Sequence, residues 1–315
     1  MTRKRATGPA LVVALCLFGA FACGRTRPGG APAPASSAST ASAAVPPPSI
    51  AAPSESAPPA PSGELASALV TPTRACRAIT VKGKVTEEGG AVVKSGDALE
   101  RPTWLVLEKG SSLAVKHAET SRELVFHGPA HLVACERGEE RFLVTEGRVE
   151  TVTWAGARPG AEVLIATPFG VVTYGDAKLD VHVDRKGLTL AATSGSAWVA
   201  VPRTGSDPEE RKVQSGGRTD VPGPVLEVKT LVQDCETRAE ASEALARAVL
   251  DTTSTAPLGE RAAAHARARK AARLECGIAA ASLGTVENGP DRARLAEAVA
   301  RAESRYRSVP SLRPR

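Results

Sequence analysis

Aromatic side chains are scarce in this 315-residue chain, which has 3 Trp, 2 Tyr and 5 Phe, or 3% of all residues. A chain so poor in aromatics has no surface on which successive bases could stack. Its net charge of +6 is spread along the sequence, and Arg in the C-terminal third alternates with Asp and Glu. That pattern describes solvated helix faces and leaves no basic stripe for nucleic acid. No apolar run approaches the roughly 20 residues that a spanning helix needs. There is no CxxC pair or Cys/His cluster at zinc spacing, no Gly-rich phosphate loop between a strand and a helix, and no Gly-x-Ser-x-Gly elbow. The nearest nucleophile candidates, Ser194 and Ser196, flank Gly195 in a stretch that matches hairpin chemistry. These absences leave no candidate catalytic residue, metal or cofactor.

What is present begins with a leader. Arg3, Lys4 and Arg5 precede an almost unbroken apolar stretch over residues 9–22, the charge-then-apolar order of a secretory signal. The stretch ends in Ala20-Phe21-Ala22-Cys23, which resembles the lipobox of bacterial lipoproteins. That resemblance implies cleavage after residue 22 and a lipid on Cys23, with Cys16 lost in the leader. Residues 24–72 then hold 11 of the 24 prolines, are otherwise mostly Ala and Ser, and lack aromatics. Such a segment cannot bury enough apolar surface to offset its ordering entropy and is expected to be a disordered tether. Fully extended polyproline II would span roughly 150 Å.

About 240 residues remain, enough for a sizeable core. They contain Cys76, Cys135, Cys235 and Cys276, an even count that in an exported chain favours disulfides. Four cysteines allow three pairings, and their placement, two in each half, favours pairing within each half. For the second pair, helices over about 235–250 and 258–283 forming an antiparallel hairpin would bring Cys235 and Cys276 to within about 4.5 Å along the axis.

From residue 79 to 201 short apolar-alternating runs recur about every 10 residues between turn signals, an all-β pattern. In Leu179-Asp180-Val181-His182-Val183 the period of two is clean and puts His182 opposite a buried Leu/Val face. The order of the motifs resembles the FecR domain, a periplasmic module, over about residues 83–201. Gly96-Asp97, Trp104 to Leu107 and Gly110-Ser111-Ser112-Leu113-Ala114-Val115 look like its opening. Gly128-Pro129-Ala130, Glu146-Gly147-Arg148-Val149, Ala166-Thr167-Pro168-Phe169-Gly170 and Ser194-Gly195-Ser196-Ala197-Trp198-Val199 follow in register. Gly175-Asp176-Ala177-Lys178-Leu179 departs from the family, which commonly has an aromatic there. The resemblance implies a ligand-binding β fold. It does not extend to the cytoplasmic segment and spanning helix through which FecR-type sigma regulators signal.

Other residues read as structural. His127 and His131 flank the Gly128-Pro129-Ala130 turn without a third ligand, so metal binding is not expected; His117, His182 and His265 are isolated and expected at or near the surface. Glu136, Glu139 and Glu140, mixed with Arg137 and Arg141, have the composition of a solvated loop. Trp104, Trp154 and Trp198 could line a sugar or peptide groove, although strand Trp are more often core. Ala241, Ala244, Leu245, Ala248 and Val249 follow helical spacing, as do Leu295, Ala298, Val299, Ala302 and Tyr306.

The expected organisation is a signal peptide (1–22), a tether (23–73), a mainly β FecR-like domain (74–232), a helical region (233–309) and a disordered tail (310–315). The β domain would be a sandwich, jelly roll or β-roll, and the helices a hairpin or three-helix region. The expected function is a non-catalytic lipoprotein of the cell envelope, anchored by lipid in a membrane, with the outer membrane favoured over the inner, and facing the periplasm. It would bind a protein or cell-wall partner and no nucleic acid. The alternative is an envelope hydrolase acting on glycan or peptide.

Overall fold

The computed structural model describes residues 76–99, 102–117, 122–135, 141–152, 162–203, 206–223, 226–251 and 255–308. The expected signal peptide, lipidation site Cys23 and tether lie outside these residues, as do Trp154, Arg137 and the three glutamates at 136, 139 and 140. The described part is mainly β and ends in three helices.

Fourteen strands occur among the described residues. They are β1 (Cys76–Lys82), β2 (Val85–Glu87), β3 (Ala98–Leu99), β4 (Trp104–Leu107), β5 (Ser112–His117), β6 (Glu123–Val133), β7 (Arg141–Val152), β8 (Val163–Thr167), β9 (Gly170–Tyr174), β10 (Lys178–Asp184), β11 (Gly187–Ser194), β12 (Ser196–Val201), β13 (Glu209–Gln214) and β14 (Arg218–Pro222). Helices α1 (Val228–Leu250), α2 (Leu258–Ser282) and α3 (Pro290–Ser308) follow. The helical part thus begins at Val228, a few residues before the boundary expected from sequence.

Two long antiparallel strands, β6 and β7, form the spine of the sheet. The first part of β7 pairs in parallel with β8 through Arg141, Phe142 and Leu143, and its last part pairs with β10 from Gly147 to Glu150. Two wings therefore leave β7 in different directions, β8-β9-β12-β13 and β10-β11-β14. Both spine strands run on through glycine stretches that punctuate the sequence, Gly128-Pro129-Ala130 in β6 and Gly147 in β7. Gly128-Pro129-Ala130 is part of β6, where the ladder shifts register between His127 and His131. Close approach of backbones explains both glycines: a side chain at Gly128 would run into the Glu108 carbonyl, and Gly147, at φ +124°, lies against Ala130. Only a residue without Cβ lets the strands bend there. Likewise Gly195 is not a hairpin tip. β11 and β12 do not pair with each other, and Gly195 is the corner at which the chain crosses from one wing to the other.

The period of two sorts side chains between two cores. Val163 and Ile165 of β8, Val172 of β9 and Val199 of β12 join Leu179, Val181, Val183, Leu188 and Leu190 of the other wing in one apolar cluster. The alternate positions Leu143, Leu164, Ala166, Val171 and Ala200 face the helices. With both faces covered, all five residues of β8 are buried. Leu179, Val181 and Val183 lie inward and His182 outward, as the alternation predicts. His117 and His265, by contrast, are buried.

The helices pack on one another, and α2 lies on β7, β8 and β9. Cys235 of α1 is bonded to Cys276 of α2, and Cys76 to Cys135, with Cα separations of 4.6 Å and 5.9 Å. In the chain-entropy description, bridges closing loops of 41 and 59 residues each stabilise the fold by about 4 kcal/mol. The bridge also sets the rotation of α1. Its buried stripe is Cys235, Ala239, Ser242, Ala246 and Val249, so of the five positions expected to be buried only Val249 is. In α3 Val299, Ala302 and Tyr306 are buried and Leu295 and Ala298 partly so, as its periodicity predicts. The Glu297–Arg301 and Glu303–Arg307 pairs form one turn apart at 3.0 and 3.2 Å.

Arg141 contradicts the solvated-loop expectation most directly. It opens β7, is 0% exposed, and donates from Nη2 to Glu303 of α3, itself buried and shared with Arg307. Removing one member of such a pair strands a charge in the interior, whereas removing both need not. Glu303→Ala is expected to cost about 3–5 kcal/mol and the double substitution Arg141→Met/Glu303→Leu much less, read as the urea midpoint of unfolding. Equal losses in the two proteins would show that the pair does not hold the helices to the sheet.

Candidate functional site

Strand register builds a concave surface on the helix-facing side of the first wing. Arg141, Leu164, Thr173, Trp198 and Lys212 form one cross-strand row, and Leu143, Ala166, Val171, Ala200 and Glu210 form the next. Helix α2 covers the second row closely because Gly277 lies over Val171 and Ala166, where a Cβ would already be in van der Waals contact. Towards its N-terminal half α2 carries Lys270, Arg273 and Leu274 above the open end of the first row. The result is a groove of about 270 Å³ lined by Glu162, Leu164, Thr173, Trp198, Ala200, Glu210, Lys270, Arg273 and Leu274.

Trp198 is the platform of this groove. It is 44% exposed, against the expectation that strand Trp are core, because its position alternates with the buried Ala197 and Val199 and falls beyond the helix. Lys212, its cross-strand neighbour, holds its ammonium 5.6 Å from the ring centroid, a cation–π contact. The groove walls are charged in pairs, with Lys270 Nζ 2.5 Å from Glu210 and Arg273 Nη1 3.6 Å from Glu162. These four residues come from the loop before β8, from β13 and from α2. They are far apart in sequence and carry no motif, so only the exposed strand Trp offered a signal for the site.

A second concavity of about 350 Å³ includes His131, Thr145, Glu146, Phe169, Asp184 and Arg185. His131 is the centre of a polar network at the junction of sheet and helices. Its Nε2 lies 2.9 Å from Glu88 Oε1 and its Nδ1 3.0 Å from Thr145 Oγ1, and Arg292 of α3 donates to both oxygens of Glu88 at 2.9 and 3.0 Å. Trp104 stacks at 4.6 Å from the His131 ring with Arg292 5.1 Å from its own centroid. Gly284, just after α2, abuts Trp104 and Thr145. His127 is not part of this network and lies 3.6 Å from Glu150. Among the described residues no cluster of three or more His, Cys, Asp or Glu could hold a metal ion.

Six described groups have displaced titrations, His131, Arg148, Glu209, Asp220, His265 and Glu275, and none of them lines the Trp198 groove. Burial holds the His131 imidazole below its usual value against the pull of Glu88, with Arg292 adding to the lowering. Nε2 faces the Glu88 carboxylate, and Nδ1 lies within hydrogen-bond reach of the Thr145 hydroxyl, which donates to the His131 carbonyl. Burial, with Asp234 beside it, pushes the Glu275 carboxyl up to about 7 despite the opposing charge of Arg238. Glu275 lies in α2, facing α1.

Comparison with protein-family models gives no match, and no curated protein matches. A crystal structure of a candidate anti-sigma factor from Parabacteroides distasonis is 14% identical with a TM-score of 0.32, and the match covers 39% of this chain and 58% of that one. Likeness at that level carries no structural or functional argument.

His131 and Glu275 make opposite contributions to pH dependence. A depressed histidine stabilises the fold above its unfolded value and loses that contribution on acidification below about 6.5. A raised carboxyl contributes nothing while both states are protonated, penalises the fold increasingly as pH rises above about 4.5, where the unfolded chain ionises, and reaches its full penalty once pH passes about 7. His131→Gln is therefore expected to flatten the fall in melting temperature between pH 7 and 5. Glu275→Gln is expected to change little near pH 4 and to stabilise by up to about 3 kcal/mol near pH 8. Melting curves across that range check both, and a Glu275→Gln gain independent of pH would show that its charge is not the cause.

Proposed function

We propose that this chain is a non-catalytic envelope lipoprotein in which a FecR-like β domain binds a protein or cell-wall ligand through the Trp198 groove. The observation that carries this reading is Trp198 itself, a large aromatic left 44% exposed above a charged concavity. An exposed aromatic on a rigid strand, ringed by polar groups, is the composition of a binding hot spot. Both disulfides support an oxidising, extracytoplasmic setting. The Ala20-Phe21-Ala22-Cys23 lipobox supports the lipid anchor, and the outer membrane is the proposed location. Among the described residues no helix is long and apolar enough to cross a membrane.

The hydrolase reading has one observation in its favour, the presence of Glu162 and Glu210 in the same groove. A glycosidase acid is kept protonated by an apolar pocket. Here each carboxylate faces a cation, and their side chains are 60% and 34% exposed. The pairing suits recognition better than proton transfer.

Two measurements test the proposal. Cys23→Ala is expected to abolish labelled-palmitate incorporation and release the protein from the membrane fraction; retention with no label in the wild type would refute the anchor. Trp198→Ala in the detergent-purified full chain is expected to weaken retention on isolated envelope material about tenfold, or 1.4 kcal/mol, with an unchanged melting temperature. Retention equal to wild type would remove the groove from the function. Release of soluble fragments from that material by the wild type, lost in Glu162→Gln or Glu210→Gln, would establish the hydrolase instead.

A further inference from the structure

We infer that the Trp198 groove holds a neutral sugar ring of an envelope glycan, an inference that rests on reading this groove as the ligand site. Four features of the groove converge on that chemistry. First, its volume of about 270 Å³ lies just below the range of roughly 300–1,000 Å³ for drug-sized ligands, which suits a single ring more than an extended chain. Second, its floor is an indole whose electron-rich face attracts the C–H bonds lining one side of a pyranose. Third, the wall charges balance. Glu162 and Glu210 face Arg273 and Lys270, so the lining has no net charge to select an ion, and Lys212 is already placed against the indole.

The fourth feature is the alternation of donors and acceptors around the rim. Lys270 and Arg273 offer N–H groups, Glu162 and Glu210 offer carboxylate oxygens, and Thr173 offers a hydroxyl that does either. Adjacent ring hydroxyls each donate once and accept, so a hydroxyl placed between Lys270 and Glu210 accepts from the first and donates to the second. Such charge-assisted bonds are stronger than neutral ones. Lys270 and Glu210 are open enough to part for a ligand, with side chains 61% and 34% exposed.

A peptide fits less well. Strand addition needs a free sheet edge, and the groove lies on a sheet face. Docking of an amphipathic helix needs a continuous apolar channel, and here one aromatic is followed by four charges.

The test titrates the detergent-purified full chain with chitotetraose, with maltotetraose and with a synthetic wall pentapeptide, reading indole fluorescence and calorimetric heat. Expected is saturable binding of at least one oligosaccharide at roughly millimolar Kd, weakened about tenfold by Trp198→Ala and severalfold by Glu210→Gln. Trp198→Phe should retain part of the affinity. A preference for chitotetraose would point to the wall glycan as the source, and one for maltotetraose to a hexose polysaccharide; either supports the ring. Binding of both sugars unaffected by Trp198→Ala would overturn the inference. So would no sugar binding while the pentapeptide binds, or while retention on envelope material still depends on Trp198. Where retention, or the pentapeptide binding, depends on Trp198, the groove reading stands and the ligand is not a sugar. Retention that is indifferent to Trp198 overturns the groove reading itself.

Discussion

A guanidinium with no access to water requires a partner, and the placement of Arg141 makes that partner determine how sheet and helices meet. Stripping an ion of its hydration costs several kcal/mol even after the protein relaxes, and the cost is offset only where a carboxylate sits in good geometry. Glu303 meets the requirement from α3, 162 residues away, and is itself steadied by Arg307 one turn on. Displacing α3 by a turn or rotating it would leave the charge buried with no carboxylate in reach. An apolar contact of similar area would tolerate many such rearrangements. The Arg141–Glu303 pair therefore contributes less to net stability than to selecting one docking arrangement.

That arrangement is what opens the groove. α3 is held to the sheet by Arg141 and, at its start, by Arg292 on Glu88. α1 packs against both other helices, and the Cys235–Cys276 bond fixes α1 to α2. α2 is thus positioned from its far side, pressed on Ala166 and Val171 at Gly277 and standing above Trp198 at Lys270 and Arg273. A helix seated closely along its whole length would have covered Trp198. The groove is the part of the sheet face that α2 leaves uncovered.

How much of this could be read from sequence depended on whether the relevant physics was local. β10 turns Leu179, Val181 and Val183 inward as the alternation says, and the buried face of α3 and the Cys235–Cys276 bond follow from spacing along one element or one hairpin. Signals that needed a distant partner misled. Arg141 sits in a run of charges that looks solvated, because Glu303 is invisible from its neighbourhood. Gly128 and Gly147 look like turns because a glycine that frees φ and a glycine that admits another backbone are the same letter. The strands β13 and β14 are too charged to show an apolar period, being edge and solvent-facing elements. For α1 an alanine-rich stripe barely differs from its neighbours, so the disulfide and not hydrophobicity decided which face turned inward.

The distribution of titratable groups bears on chemistry as well as on folding. Enzymes gather groups of displaced pKa where substrate binds, because proton transfer near neutrality requires them there. Here His131 is engaged by Glu88 and Thr145 beneath Trp104, and Glu275 is buried between α1 and α2. Both sit at seams between elements, where burial is a by-product of packing. The Trp198 groove instead holds carboxylates and cations that face each other in water-accessible pairs. Such a surface can exchange one hydrogen-bond partner for another at little cost.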